Sequence, residues 1–142
     1  MSYNILIVDD SGTMRNVIKK TLRLSGFKVG ECLEANNGQE ALSILRDHWV
    51  DVILSDIHMP VMDGFALLRA LHQGEDWNNV PVVLITTEAN EDRLKVAMSL
   101  GAKGYIRKPF TPEAIRSVLS NIMGEKDESE SAISELDEGC DF

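Results

Sequence analysis

Four short apolar runs in this 142-residue chain end in residues able to do chemistry. Asp9-Asp10 follow Ile5-Leu6-Ile7-Val8, and Ser55-Asp56 follow Val52-Ile53-Leu54. Thr86-Thr87 follow Pro81–Ile85, and Lys108 follows Gly104–Arg107. Three carboxylates gathered in one crevice repel one another unless a cation is present. Hard oxygen donors of this kind suit Mg²⁺, which takes one or two carboxylates and keeps several waters. Those waters leave room for a phosphoryl oxygen, and Lys108 with a threonine hydroxyl would complete a clamp on it by charge and by hydrogen bond. Phosphoryl transfer asks mainly for positioning and charge neutralisation, and a strand-end carboxylate can serve as its nucleophile. Each residue alone has an ordinary role. Asp10 or Ser11 can cap a helix, Asp56 can form a turn, the threonines can end a strand, and Lys108 can be a surface cation. Their coincidence at four strand ends carries the inference.

The elements that must position these groups follow from the apolar period. Ile5–Val8 is a compact β-branched run, as in a strand buried on both faces. Ser11 or Thr13 can cap the helix that follows, with Met14, Val17, Ile18, Thr21 and Leu22 on one face and Gly26 as its stop. Glu31–Ala35 reads as a second strand. After Asn36-Asn37-Gly38 comes a helix with Ala41, Leu42, Leu45 and Trp49 on its inner side. Val52-Ile53-Leu54 is a third strand, and an irregular loop, Ile57–Gly64, leads to a helix with Phe65, Leu68 and Leu71 inward. Pro81–Ile85 is a fourth strand, Glu91–Leu100 a helix closed by Gly101, and Gly104–Arg107 a short fifth strand. Thr111 caps a last helix, with Pro112 in its first turn. Five strands alternating with five helices specify an α/β domain, a doubly wound five-stranded parallel sheet of flavodoxin-like architecture. Ligands of such sheets bind beyond the carboxyl ends of the strands, where all four polar groups would meet.

Composition narrows the function classes. The chain is 44% apolar and 26% charged, ordinary for a globular domain. No apolar run approaches the roughly 18 residues of a membrane span. The start, Met1-Ser2-Tyr3-Asn4, lacks a basic n-region, so a cytoplasmic protein without membrane attachment is expected. Cys32 and Cys140 are too few for a disulfide framework and have no partners at zinc-site spacing. Cys32 reads as a small core residue. Of the net charge of −9, residues 124–142 carry −7, from eight acids against Lys126, so residues 1–123 carry only −2. The expected division is a folded domain over 1–123 and a disordered acidic tail over 124–142. That acidity also argues against a nucleic-acid partner, which requires a basic face.

In combination and in order, these residues resemble the response-regulator receiver family, most closely the stand-alone chemotaxis receivers of the CheY kind. The likeness runs from about Ile5 to Met123. It rests on Asp9-Asp10 after an apolar strand and on Asp56-Ile57-His58-Met59-Pro60-Val61-Met62-Asp63-Gly64. It rests further on Ile85-Thr86-Thr87-Glu88 and on Gly101-Ala102-Lys103-Gly104-Tyr105 before Lys108-Pro109-Phe110. The resemblance implies Asp56 as phosphoacceptor. It implies a Mg²⁺ site of Asp10, Asp9 (largely through water), Asp56 and the backbone carbonyl of His58. Thr86 would donate its hydroxyl to the phosphoryl group and Lys108 would contact it by charge. The Lys108-Pro109 bond would be cis. Tyr105 would be the aromatic switch, on an output surface of fourth helix, fifth strand and fifth helix. His58 and Glu88 would set the lifetime of the acyl phosphate. Three features depart from the chemotaxis pattern: His58, where such receivers often hold a shorter polar residue, the acidic start of the fourth helix, Asn90-Glu91-Asp92-Arg93, and the acidic tail.

The function implied is a phosphorylation switch in two-component signalling rather than a metabolic enzyme. The donor would be a phosphohistidine on a sensor histidine kinase or phosphotransfer protein. The output would be a protein target, reached by a monomer or weak dimer. A phosphorelay intermediate is a variant of this reading. From another class, a Mg²⁺-dependent phosphohydrolase forming an aspartyl phosphate would show steady turnover. Against it, His58 stands two residues after Asp56 where such an enzyme has a general-acid carboxylate. A nucleotide-binding module is disfavoured because no Gly-rich loop precedes a Lys-Ser/Thr pair.

Overall fold

A computed structural model describes residues 2–74 and 79–124. Trp77, Cys140 and residues 125–142 lie outside these, so the expectation for the acidic tail falls outside the described residues. The elements are β1 (Tyr3–Val8), α1 (Gly12–Ser25), β2 (Val29–Ala35), α2 (Gly38–Asp47), β3 (Val52–Ser55), α3 (Gly64–Gln73), β4 (Val82–Thr86), α4 (Glu91–Ser99), β5 (Gly104–Arg107) and α5 (Pro112–Met123). The strands form one parallel sheet in the order β2-β1-β3-β4-β5. This is the flavodoxin-like α/β architecture read from the alternation of periods.

Side chains of a strand alternate between faces, and here both faces are covered. Leu6, Val8, Ile53, Val82 and Leu84 face α2, α3 and α4, packing with Leu42, Leu45, Leu68, Leu71 and Leu94. Ile5, Ile7, Val52, Leu54, Val83 and Ile85 face α1 and α5, packing with Ile18, Leu22, Ile115 and Leu119. Burial on both sides explains why these strands read as unbroken apolar runs rather than alternating ones. Each fully buried Ile or Leu contributes about 1.5–3 kcal/mol relative to exposure.

Local signals set most boundaries. Ser11 caps α1 by accepting from Met14 N at 3.1 Å, and Gly26 ends it with φ of 79°. Thr111 caps α5 by accepting from Ala114 N at 3.1 Å, with Pro112 first in the helix. The Lys108-Pro109 peptide is cis, as the resemblance implies. β2 begins at Val29 rather than Glu31, because Val29 pairs with Tyr3 at the sheet edge.

Two inward expectations are corrected. Trp49 is 76% exposed, because α2 ends at Asp47 and the extended His48 breaks the helical period before it. Val17 is 44% exposed, at the flank of the apolar arc of α1. Cys32 is only part-buried at the margin of the α1/α5 layer, and that burial pushes its thiol pKa up.

Candidate functional site

The carboxyl ends of β1 and β3 lie side by side, Val8 in register with Ser55. The residues after them are therefore neighbours, and Asp56 N donates to Val8 O at 2.9 Å. Carboxylate oxygens of Asp9, Asp10 and Asp56 lie within 4.8 Å of one another. Lys108 arrives from the end of β5, two strands away, and its Nζ lies 3.1 Å from Asp9 Oδ2 and 3.2 Å from Asp56 Oδ2. Its backbone N donates to Thr86 O at 2.9 Å, which ties the ends of β4 and β5 together. Asp9, Asp10, Asp56 and Lys108 thus converge on one rim, as the strand-end reading requires.

The members differ in how they are held. Asp9 is 2% exposed, and its Oδ1 accepts from Ser11 N at 2.9 Å. Asp56 is part-buried, and its Oδ1 accepts from Ile57 N at 2.7 Å. Asp10 is exposed, and its side chain makes no hydrogen bond among the described residues. Three carboxylates face one ammonium, all donors are oxygen, and the Asp10 side is open to solvent. This set fits Mg²⁺, which favours oxygen ligands and retains water.

Around the carboxylates the backbone is closely packed. A Cβ on Gly64 would come within 2.6 Å of Asp56 O and 2.9 Å of Ile57 Cα, so the loop returning from Pro60 can pass only as glycine. Asp63 caps α3 by accepting from Ala66 N at 2.8 Å.

Of the two threonines left open by the residues alone, Thr86 is fully buried and Thr87 exposed. Thr86 Oγ1 accepts from Glu88 N at 3.1 Å. Glu88 Oε1 lies 3.0 Å from His58 Nε2 and 3.1 Å from Arg93 Nε, and Oε2 accepts from Asn90 N at 3.0 Å. Those partners, the Asn90 N–H foremost, hold the Glu88 carboxyl below the usual carboxylate range against the effect of burial. Arg93 also lies over the Phe65 ring at 5.2 Å from its centroid. His58 and Glu88 therefore form a brace at the rim, joined to α4 through Arg93, outside the carboxylate group. Tyr105, 41% exposed, stands apart from the carboxylates and lines an open pocket of about 370 Å³ with Glu91, Leu94, Lys95 and Met98. The larger cavity, about 1030 Å³, lies at the amino ends of β3 and β4 and touches none of these groups.

Arg15 and Arg93 escape a reading of the sequence alone. A lone arginine on a helix carries no local signal of a partner. Glu34 and Glu88 become those partners only through the sheet order and the β4–α4 turn.

A parallel sheet ending in acids on β1 and β3 and a lysine on β5 defines a class of phosphoryl-accepting signalling domain. The sequence model of the response regulator receiver domain matches residues 5–120. The chain belongs to that family, whose members are phosphorylation-dependent modules of two-component signalling. Over 118 residues it is 40% identical to a chemotaxis protein CheY of Pseudomonas aeruginosa, covering 83% of this chain and 94% of that one. Its fold is similar to that of chemotaxis response regulator CheY4 of Vibrio cholerae, with TM-score 0.75, 33% identity, and coverage of 86% and 99%. It is also similar to the receiver domain of sensor histidine kinase PA1611 from Pseudomonas aeruginosa, with TM-score 0.76, 26% identity, and coverage of 88% and 100%. That structure has a magnesium ion coordinated in its active site cleft.

Proposed function

We propose that Asp56 is the phosphoacceptor of a chemotaxis-type signalling switch. The observation that carries this reading is the convergence of Asp9, Asp10 and Asp56 within 4.8 Å, with Lys108 Nζ bridging two of them. Asp9, Asp10, Asp56 and the carbonyl of His58 would hold Mg²⁺. The ion would supply charge neutralisation for the phosphoryl oxygens. A carboxylate oxygen of Asp56 attacks the phosphorus of a donor phosphohistidine. The O–P bond forms as the N–P bond breaks, and the imidazole leaves with a proton. Water later attacks the phosphorus, the bond to the Asp56 oxygen breaks, and inorganic phosphate leaves as the carboxylate is regenerated. The protein thus catalyses its own phosphorylation and dephosphorylation without releasing a metabolic product.

The new charge at Asp56 gives Lys108 a stronger partner and draws the Thr86 hydroxyl from its contact with Glu88 N towards the phosphoryl group. Thr86 leads into the β4–α4 turn, so that movement reaches Tyr105 and the surface of α4, β5 and α5, where a protein target binds. His58 and Glu88, braced together at the rim, govern access of water and so the lifetime of the acyl phosphate. Names of the relatives support chemotaxis as the pathway; the donor would be a histidine kinase or phosphotransfer protein, and the location the cytoplasm. No helix among the described residues is long and apolar enough to cross a membrane. The folded unit is residues 1–123, acting as a monomer or weak dimer, with 124–142 appended.

The test is incubation with acetyl phosphate and Mg²⁺ followed by intact mass. A phosphate-sized gain is expected in the wild type, absent in Asp56→Asn and after chelation. A gain that persists in Asp56→Asn would remove Asp56 from the role. Steady turnover of small phosphate esters would favour a phosphohydrolase instead.

A further inference from the structure

Asp10 is the least secured member of the carboxylate group. Asp9 is held at every polar atom: its N–H donates to Ala35 O at 3.1 Å, Oδ1 accepts from Ser11 N, Oδ2 faces Lys108, and its carbonyl accepts from Arg15 Nη1. Asp10 is exposed, and its side chain has no hydrogen bond among the described residues. Its placement therefore depends on its backbone. The Asp9 carbonyl and the Asp10 N–H share one planar peptide unit, so whatever holds that carbonyl sets the direction in which Asp10 leaves the strand.

Arg15 is built to hold it. The side chain is only 15% exposed, and its Nε pairs with Glu34 Oε1 at 2.8 Å. Nη1 also donates to Asn36 Oδ1 at 2.8 Å. Both partners are themselves anchored, Glu34 by Lys19 Nζ at 2.7 Å and Asn36 by Glu40, which accepts from Asn36 N at 2.9 Å. The guanidinium lies across the start of α1, where a Cβ on Gly12 would come 3.4 Å from Nη2. A planar fork with several fixed donors is pre-organised in a way that an ammonium is not.

We propose that Arg15 is a positioning residue for the Mg²⁺ site, fixing the Asp9–Asp10 peptide so that the Asp10 carboxylate is aimed before the ion arrives. This rests on the reading of the acid group as a Mg²⁺ site. The sign of the effect separates positioning from charge. Removing a cation near a cation site should tighten Mg²⁺ binding if electrostatics alone mattered. Positioning requires the opposite.

The experiment is calorimetric titration of the full chain with Mg²⁺ in the absence of any phosphodonor, for wild type, Arg15→Met and Arg15→Lys. Half-saturating Mg²⁺ for acetyl phosphate labelling is measured in parallel. Loss of partners that orient metal ligands costs about 10–100-fold in affinity. Arg15→Met should weaken Mg²⁺ binding by about tenfold, while labelling at saturating Mg²⁺ stays within about twofold. Arg15→Lys keeps the charge without the fork and should weaken binding in the same direction. In the metal-free protein, both variants should shift the Asp10 amide resonance. Unchanged or tighter binding in Arg15→Met overturns the proposal, as does unchanged binding in Arg15→Lys should the methionine variant fail to fold. A wild-type chain that binds no Mg²⁺ would sink the site reading itself and this proposal with it, an outcome distinguishable by the wild type alone.

Discussion

Lys108 occupies the position the proposed switch requires, 12% exposed and within 3.2 Å of both a buried Asp9 and the part-buried Asp56. Its ammonium offsets part of the repulsion among three carboxylates. It also stands where a phosphoryl group on Asp56 would arrive, so under the proposed function one cation would serve both states. Thr86 is its counterpart on β4, buried and turned to Glu88 N in this conformation. Neither residue supplies the attacking oxygen, so Lys108→Ala and Thr86→Ala should both still form the phosphoprotein but transmit it poorly. Phosphorylated mutants should bind the output target about tenfold or more weakly than wild type, as loss of one charge-assisted hydrogen bond allows. Affinity of each purified phosphoprotein for that target measures this. Normal binding by both would refute the clamp.

At the scale of elements, the site depends on how loops are tied to one another. The loop after β3 passes over Asp56 at a distance only Gly64 permits, and Gly38 N donates to Met62 O at 3.0 Å, joining it to the start of α2. On the other side Glu34 of β2 gathers Arg15 and Lys19 of α1. The Lys19 and Arg15 hydrogen bonds hold the Glu34 carboxyl below the usual carboxylate range. A carboxylate depressed in this way adds stability above its unfolded pKa and loses it as pH falls through the folded one. Glu34 and Lys19 are about one-third exposed and screened by solvent, so the interaction is worth at most about 1 kcal/mol. Glu34→Gln should therefore be less stable than wild type at neutral pH by up to about that amount, with the gap closing as pH falls below the carboxylate range. Urea melts at several pH values measure this, and a gap that stays constant would exclude the ion pair as its source.

At the scale of the whole molecule, one sheet carries two separate apolar layers, and the site sits on the rim they share. Ile115 and Leu119 of α5 are fully buried against Ile7, Leu54 and Ile106. Ile115→Ala should lower unfolding free energy by about 2–5 kcal/mol, since a packed interior collapses only partly around the cavity. Denaturant unfolding followed by two spectroscopic probes should give coincident transitions shifted together. A cost under about 1 kcal/mol would mean that α5 is not seated on the sheet in solution.

Strand ends and helix starts are local events, and the residues alone determined them: an apolar run stops at Asp9, at Asp56 and at Lys108, and Ser11, Thr111 and Pro112 begin helices. From these came the alternating α/β order and the group of residues worth watching. Which strands are neighbours is decided by packing among segments far apart in the chain, and so the order β2-β1-β3-β4-β5 waited for the tertiary structure. That order makes Asp9 and Asp56 neighbours, chooses buried Thr86 over exposed Thr87, and brings Glu34 to Arg15. Side chains at the edges of these patterns were decided there as well. Trp49 lies past the end of its helix and Val17 on the flank of its arc, where periodicity no longer says which way a side chain turns.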